Sequence, residues 1–181
     1  MERTRDVKRI FQGRVLNLEV LEVELDDGTI STREIVRHVG AVGVLARRAD
    51  GAFLFVRQYR KAVEAEAIEV CAGLLEAGET PADAARRELR EETGHRAARL
   101  VRLGTLWSSP GYTDEAVEVF FADCEDGIAE ATRPDEDERV ETLALQAEEV
   151  EDFIRHNRIR DAKTIAAWTL YRLRSADTCR E

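Results

Sequence analysis

The sequence predicts an α+β fold in which helices pack on a mixed β-sheet. Three observations lead to this prediction. Alternating apolar and charged residues run through most of the first 70 positions, a strongly capped helix pattern follows, and the remainder again places strands before helices. At 181 residues and 44% hydrophobic content, the chain is long enough for one domain with its own core, or for one domain with a short accessory element.

The first strands are predicted from side chains that alternate along the chain. Residues 14–25 (RVLNLEVLEVEL) alternate apolar and charged, the turn sequence DDG follows, and residues 29–38 (TISTREIVRH) alternate again. This pattern predicts a β-hairpin with one solvated face. Residues 41–60 repeat the pattern around a turn near Asp50 and Gly51.

The central helix is predicted from its two ends. Thr80 is the expected N-cap, Pro81 takes the first helical position, Asp83 favours the N-terminal dipole, and Gly94 closes the helix as a left-handed cap. Beyond it, RLVRLGTLW and AVEVFFADC are predicted strands, and AEEVEDFIRHN and DAKTIAAWTLYRLR are predicted helices.

Charge and composition exclude several classes of protein. The formal net charge is −10, with the acidic excess in residues 61–150, whereas a nucleic-acid groove would need a basic patch. No apolar run approaches about 18 residues and MERTRDVKR does not resemble a signal peptide, so we expect a soluble cytoplasmic protein without a membrane partner. The cysteines form no C-x-x-C pair, which fits reduced thiols.

The central helix carries an unusual group of carboxylates. Glu88, Glu91 and Glu92 lie at helical neighbour spacing and therefore project from one face. Charge content alone favours an ordinary solvated face with weak ion pairs. Fixed on a packed helix, however, three carboxylates form an oxygen-rich surface suited to Mg²⁺. Arg87 lies four residues before Glu91 and can orient a carboxylate.

The spacing around these carboxylates decides between the two interpretations. Residues 73–95, GLLEAGETPADAARRELREETGH, form a segment that we call the box. The box resembles the pattern G-x5-E-x7-R-E-U-x-E-E-x-G-U of the Nudix hydrolases, where U is a bulky apolar residue. Every fixed position but the last is met. His95 stands where the family usually has Ile, Leu or Val, a difference that concerns packing more than catalysis.

The resemblance implies a Nudix fold, a mixed sheet between helices, that hydrolyses a nucleoside diphosphate linked to another moiety. It implies that Glu88 and Glu92 bind Mg²⁺ or Mn²⁺ with the backbone carbonyl of Ala72. Glu91 would bind metal or orient water, and Arg87, with the box Glu79, would orient the metal-binding helix. The cations would neutralise charge that develops on the diphosphate as water attacks phosphorus.

Features outside the box resemble the ADP-ribose pyrophosphatase branch of the family. RQYR at 57–60 and AIEVCAGLLEAGE at 67–79 resemble the branch's strand and its E-x-P-A-G-x-x-E entry, with Cys71 in place of the usual Pro. Pro110 lies 15 residues beyond His95, about the spacing of the proline that marks ADP-ribose hydrolases. The implied reaction gives AMP and ribose 5-phosphate.

Further site residues follow from this resemblance. The candidate substrate contacts are Arg57, Glu69, Pro110 and Glu115, with Arg57 as a fork for phosphate. A mobile acidic loop in the branch supplies a general base or an extra metal ligand, and here the candidates are Glu136 and Glu138. For these residues a purely structural or solvated role stays open.

Other activities also stay open. They are hydrolysis of another nucleotide sugar, of FAD or NADH, or of an oxidised nucleotide, and a catalytically silent domain that senses a nucleotide. The presence of Arg87, Glu88, Glu91 and Glu92 argues against a silent domain.

Residues 1–37 are predicted to form a β extension outside the catalytic domain, which would span 38–181. A two-stranded element is marginal by itself and needs a partner to cover its apolar face. In the branch that the chain resembles, such an extension crosses to a second subunit. We therefore expect a homodimer.

Overall fold

The computed structural model describes residues 1–126, 132 and 139–177, with side chains to 174. Its strands and helices are β1 (Arg3–Gln12), β2 (Leu16–Glu24), β3 (Ile30–His38), β4 (Ala41–Arg47), β5 (Phe53–Arg60), β6 (Ala65–Glu69), β7 (Cys71–Leu74), α1 (Pro81–Thr93), β8 (Ala97–Trp107), β9 (Ala116–Cys124), β10 (Glu141–Leu145), α2 (Ala147–Arg155) and α3 (Ala162–Asp177). In the described part of the chain, no helix combines the length and apolar character needed to cross a membrane.

The chain divides into two compact units. The first comprises Met1–Gly40 and Trp107–Ala116, and the second comprises Ala41–Leu106 and Val117–Glu181. The segment after β8 therefore belongs with the N-terminal strands, a grouping that the sequence pattern does not predict.

The first unit is a three-stranded antiparallel sheet in the order β1-β2-β3. The predicted hairpin is confirmed as β2 and β3, which pair from Leu16 opposite His38 to Glu24 opposite Ile30. Strand β1 pairs with the other side of β2 and adds a strand that the sequence does not predict. Half of its residues are charged and all are exposed, so it lacks the alternation of a half-buried strand.

The second unit contains the predicted mixed sheet. Its order is β10-β5-β4-β9-β8, with β6 paired to β5 and β7 paired to β4. Strands β4 and β9 run parallel, whereas β4 is antiparallel to β5 and β7. The mixed character of the predicted sheet is therefore confirmed.

Helices cover both faces of this sheet because successive strand residues point to opposite sides. On one side, Val44 of β4 packs in a core cluster with Ala85 and Leu89 of α1. On the other side, Leu45 packs in a cluster with residues of α2 and α3, among them Trp168. The two cores give the predicted sheet between helices.

Helix α1 has the predicted ends. The Thr80 side chain accepts a hydrogen bond from Asp83 N, Pro81 begins the helix, and Gly94 adopts φ of 71° with its N–H bonded to Arg90 O. With Ala84, Ala85 and Leu89 buried, the opposite side of the helix is free to carry charge.

Candidate active site

Strand β7 lies against helix α1 at the start of the box, and two contacts fix their approach. The backbone N–H of Ala72 donates to Glu92 Oε2 at 3.0 Å. At the next residue, a Cβ built on Gly73 would overlap the carboxyl group of Glu88. Glycine at this position therefore lets Glu88 keep its place, because any side chain here would displace the carboxyl end of Glu88.

Arg87 connects the box carboxylates to one another. It forms a two-pronged contact with Glu79, in which Nε and Nη2 each donate at 2.9 Å. Its Nη1 donates to Glu88 at 2.6 Å and to Glu91 at 3.1 Å. Nη2 also donates to the carbonyl of Leu74. Hydrogen bonding to Glu79 and then to the other carboxylates raises the pKa of Arg87, while the same contact lowers the pKa of Glu79.

The three predicted ligand side chains differ in exposure. Glu92 is buried at 4% relative exposure, the Glu88 side chain is 12% exposed, and the Glu91 side chain is 42% exposed. Glu92 is fixed by burial and by the N–H of Ala72, and Glu88 is fixed by burial and by Arg87. Glu91 is the most exposed of the three. These exposures match a site open on one side.

The chemistry of this donor set fits a hard divalent cation, because the carboxylates and a backbone carbonyl offer oxygen ligands. Within the described ranges, no three ligand-type side chains converge as a ready metal site. Arg87 and the Ala72 N–H instead engage the carboxylates. The protein's own contacts thus orient the carboxylates, and their chemistry fits the cation.

Glu69 is buried at the end of β6 and pairs with two cationic side chains. Arg60 Nε and Nη2 donate to its two oxygens at 2.8 and 2.9 Å, and Lys163 of α3 also donates to it. Burial alone would raise the pKa of Glu69, but hydrogen bonds and charge from Arg60 and Lys163 lower it to about 2. Because protein groups engage both oxygens, substrate contact by Glu69 stays a prediction.

The remaining predicted residues are distributed over both units. Arg57 lies in β5 opposite Glu141 of β10 and donates to it at 3.2 Å. Pro110 and Glu115 belong to the first unit, where Glu115 lies 3.7 Å from His38 Nε2. Two other predicted residues, Glu136 and Glu138, lie outside the described residues.

Sequence reasoning missed Arg60, Lys163 and Thr164. Thr164 Oγ1 accepts a hydrogen bond from Val70 N at 2.8 Å, although 94 residues separate them. The sequence does contain one signal: Asp161, three residues before Thr164, occupies an N-cap position at the start of α3. Nothing near Thr164 in the sequence identifies Val70 as its partner.

Cys71, which replaces the proline usual in the branch, is fully buried. Burial, and then the nearby Glu92 carboxylate, raise the pKa of this thiol well above its ordinary value. A thiol in this environment is a packing residue and not a nucleophile.

Two of the relatives found by comparison with known proteins have the same sequence identity to this chain. The ADP-ribose pyrophosphatase of Bacillus subtilis (strain 168) is 41% identical over 175 residues, which cover 97% of this chain and 95% of that protein. The methanol dehydrogenase activator of Bacillus methanolicus is also 41% identical over 175 residues, with the same coverage.

A solved structure supports the fold. The crystal structure of an ADP compounds hydrolase has a TM-score of 0.85 and 23% identity, and the match covers 99% of this chain and 97% of that one. At this identity the likeness concerns the fold alone.

A family profile described as the NUDIX domain matches residues 37–168. This range contains the complete box, the strand that packs against it, and both cores of the sheet. From the match over most of the chain and the relatives at 41% identity, we conclude that this chain belongs to the NUDIX domain family.

Proposed function

We propose that this chain hydrolyses the diphosphate of ADP-ribose to give AMP and ribose 5-phosphate. The observation that carries the proposal is the approach of β7 to α1, where Ala72 N donates to Glu92 and the absence of a side chain on Gly73 leaves room for the Glu88 carboxyl group. The identity of 41% with an ADP-ribose pyrophosphatase over 97% of the chain supports the choice of substrate.

Nudix hydrolases generally use divalent metal ions, and Mg²⁺ or Mn²⁺ is the proposed cofactor here. Glu88, Glu92 and the carbonyl of Ala72 would hold it, with Glu91 as a further ligand. When bound, the cation supplies positive charge that offsets the charge developing on the diphosphate.

The chain's own residues would then position the reaction. Arg87 restrains the helix carboxylates and, through Glu79, fixes α1 against the loop that precedes it. Glu91, the most exposed of the three carboxylates, is one candidate to accept a proton from the attacking water. Glu136 and Glu138 are the others, and the pH profiles of their Gln variants would distinguish them.

Four residues are proposed to contact substrate. Arg57 has a guanidinium partly exposed beside Glu141, which suits an exchange of that carboxylate for a phosphate. Glu69, Pro110 and Glu115 are proposed from the resemblance to ADP-ribose hydrolases. These four residues are proposed to determine which substrate binds, whereas the carboxylates of the box carry out the hydrolysis.

A homodimer is part of the proposal, with residues 1–37 as a dimerisation extension to a catalytic domain at 38–181. Strand β1 supports it, because Val7, Ile10 and Phe11 are 48–56% exposed on an edge strand. An edge strand with exposed apolar side chains favours association. A cytoplasmic location is also proposed, and the buried free thiols of Cys71 and Cys124 fit a reducing compartment.

The test is a panel of diphosphates with and without Mg²⁺ or Mn²⁺. ADP-ribose, GDP-mannose, FAD, NADH and diadenosine polyphosphates are incubated with the protein, and products are separated by chromatography. We expect AMP and ribose 5-phosphate from ADP-ribose in the presence of metal. A higher kcat/KM for another member of the panel would replace ADP-ribose as the proposed substrate.

Variants distinguish hydrolysis at this site from hydrolysis by a contaminating enzyme. Glu92→Gln is expected to lower turnover by several orders of magnitude while the protein stays folded, because the amide weakens a metal ligand. Glu118→Gln is the matched control, since Glu118 of β9 accepts a hydrogen bond from Arg102 of β8 and lies outside the box. Equal loss in both variants would contradict the assignment of Glu92.

A second candidate function is the activation of a methanol dehydrogenase, which the 41% identity with a methanol dehydrogenase activator supports. It is tested by adding the chain and Mg²⁺ to a methanol dehydrogenase assay. Stimulation that Glu92→Gln abolishes would connect it to the same site. Nucleotide binding without turnover in every arm would instead favour a sensor.

A further inference from the structure

Val70 lies where the chain exchanges one partner strand for another. Strand β6 pairs with β5 as far as Glu69, opposite Val56, and β7 pairs with β4 from Cys71, opposite Val44. Val70 belongs to neither strand and is 1% exposed. Its buried N–H therefore needs an acceptor outside the ladders of the sheet.

Thr164 of helix α3 provides that acceptor. Val70 N donates to Thr164 Oγ1 at 2.8 Å, and Thr164 is completely buried. The same hydroxyl donates to Asp161 Oδ2 at 2.6 Å, and this oxygen also accepts from Thr164 N at 2.9 Å. Because the hydroxyl donates its hydrogen bond to Asp161, a lone pair of the Thr164 oxygen is oriented to accept from Val70 N.

The residues that follow Val70 enter the proposed metal site. Two residues later, Ala72 donates to Glu92, and the next residue, Gly73, contacts Glu88. The segment 70–73 is thus held at its start by α3 and at its end by α1. The carbonyl of Ala72, the proposed ligand, lies between these two attachments.

We propose that Thr164 is a positioning residue for the metal site: by holding Val70, it fixes the Ala72 carbonyl relative to Glu88 and Glu92. This inference rests on the proposed function, which gives Ala72 its role as a ligand. Thr164 lies 70 or so positions beyond the box, and no motif includes it. Residues that orient metal ligands through hydrogen bonds affect metal affinity by roughly 10–100-fold.

The test measures binding of Mn²⁺ alone to the metal-free full chain, by the electron paramagnetic resonance signal of free Mn²⁺. Thr164→Val removes the hydroxyl at nearly constant volume, and Thr164→Ser restores it. We expect Thr164→Val to weaken Mn²⁺ binding roughly 10–100-fold and Thr164→Ser to bind within about threefold of the wild type. Thr169→Val is the control on the same helix, because that exposed hydroxyl donates to Ile165 O of α3 itself.

Metal-dependent enzyme kinetics and amide hydrogen exchange give two further tests of the role of Thr164. Thr164→Val is expected to raise the metal concentration needed for half-maximal activity more than it lowers kcat at saturating metal. The Val70 amide should exchange hydrogen faster in Thr164→Val than in Thr164→Ser. If Thr164→Val does not fold, Asp161→Asn replaces it, with an intermediate loss of Mn²⁺ affinity expected because the hydroxyl is less firmly oriented.

Three results would overturn the proposal: wild-type Mn²⁺ affinity in folded Thr164→Val, a Ser variant as weak as the Val variant, or wild-type affinity in Asp161→Asn when the Val variant is unfolded. A wild type that binds no Mn²⁺ would overturn it as well. A wild type that binds Mn²⁺ but leaves ADP-ribose intact would refute the substrate alone, and the titrations would still decide the role of Thr164.

Discussion

The carboxyl group of Glu88 occupies the space in which a side chain on Gly73 would begin. Gly73→Ala should therefore displace that carboxyl group, and we expect kcat/KM for ADP-ribose to fall about 100-fold or more, as for other small misplacements in active sites. Gly43→Ala is the control, since its Cβ would lie at ordinary contact distance, 3.6 Å from Val117 and Val70. Near-normal kcat/KM in Gly73→Ala would contradict the role of this contact.

The fork of Arg87 on Glu79 predicts that lysine cannot replace this arginine. Arg87→Lys retains the charge but loses the paired contacts, so metal affinity and kcat should each fall by roughly 10–100-fold. A double-mutant cycle with Glu79→Gln should give a coupling energy of roughly 0.5–3 kcal/mol by urea unfolding. Arg86→Lys serves as the control, because its described contact is with Ala82 O of the same helix. Additive effects of the Arg87 and Glu79 changes would show that the pair does not act as a unit.

Stability at acid pH should depend on Glu69. Its pKa is lowered to about 2 in the folded chain, so the contribution of its ionised form is complete above about pH 4.5 and is lost as pH falls towards 2. Glu69→Gln should lower the free energy of unfolding by about 2–3 kcal/mol at pH 7, a figure that allows for screening at the partly exposed Arg60. Urea unfolding from pH 7 to pH 2.5 should show this difference shrinking. A constant difference across that range would contradict the ionic role.

Association should depend on strand β1 if the dimer forms through the N-terminal sheet. Phe11 is 56% exposed, and Phe11→Asp would place a charge in the proposed interface. We expect sedimentation to show the dimer dissociating at concentrations at least tenfold higher than for the wild type. Leu173→Asp, a change at a similarly exposed residue of α3, is the control. Dissociation by Leu173→Asp alone would assign the interface to the helices.

Local signals account for the parts of the fold that the sequence predicted. Thr80, Pro81 and Gly94 identify both ends of α1 because capping involves residues only a few positions apart. Strands β2 and β3 were predicted because each alternates along its own length. Strand β1 was missed because its charged, exposed residues show no such alternation.

The site was predicted unevenly for the same reason. The spacing of Glu88, Glu91 and Glu92 places them on one helix face wherever that helix packs. In contrast, the contacts of Glu69 with Lys163 and of Val70 with Thr164 each join residues 94 positions apart. No pattern within a short window contains both partners, so these contacts could not be predicted.

The sequence by itself determined the α+β class, the helix with its carboxylates, and membership of a family whose box is read from one continuous segment. Only the tertiary structure decided how that helix is supported: Gly73 leaves room for Glu88, Ala72 donates to Glu92, and α3 holds Val70, the residue before β7. The physical reason is that caps, turns and helix faces depend on neighbours along the chain. Packing and buried hydrogen bonds depend on which distant segments meet.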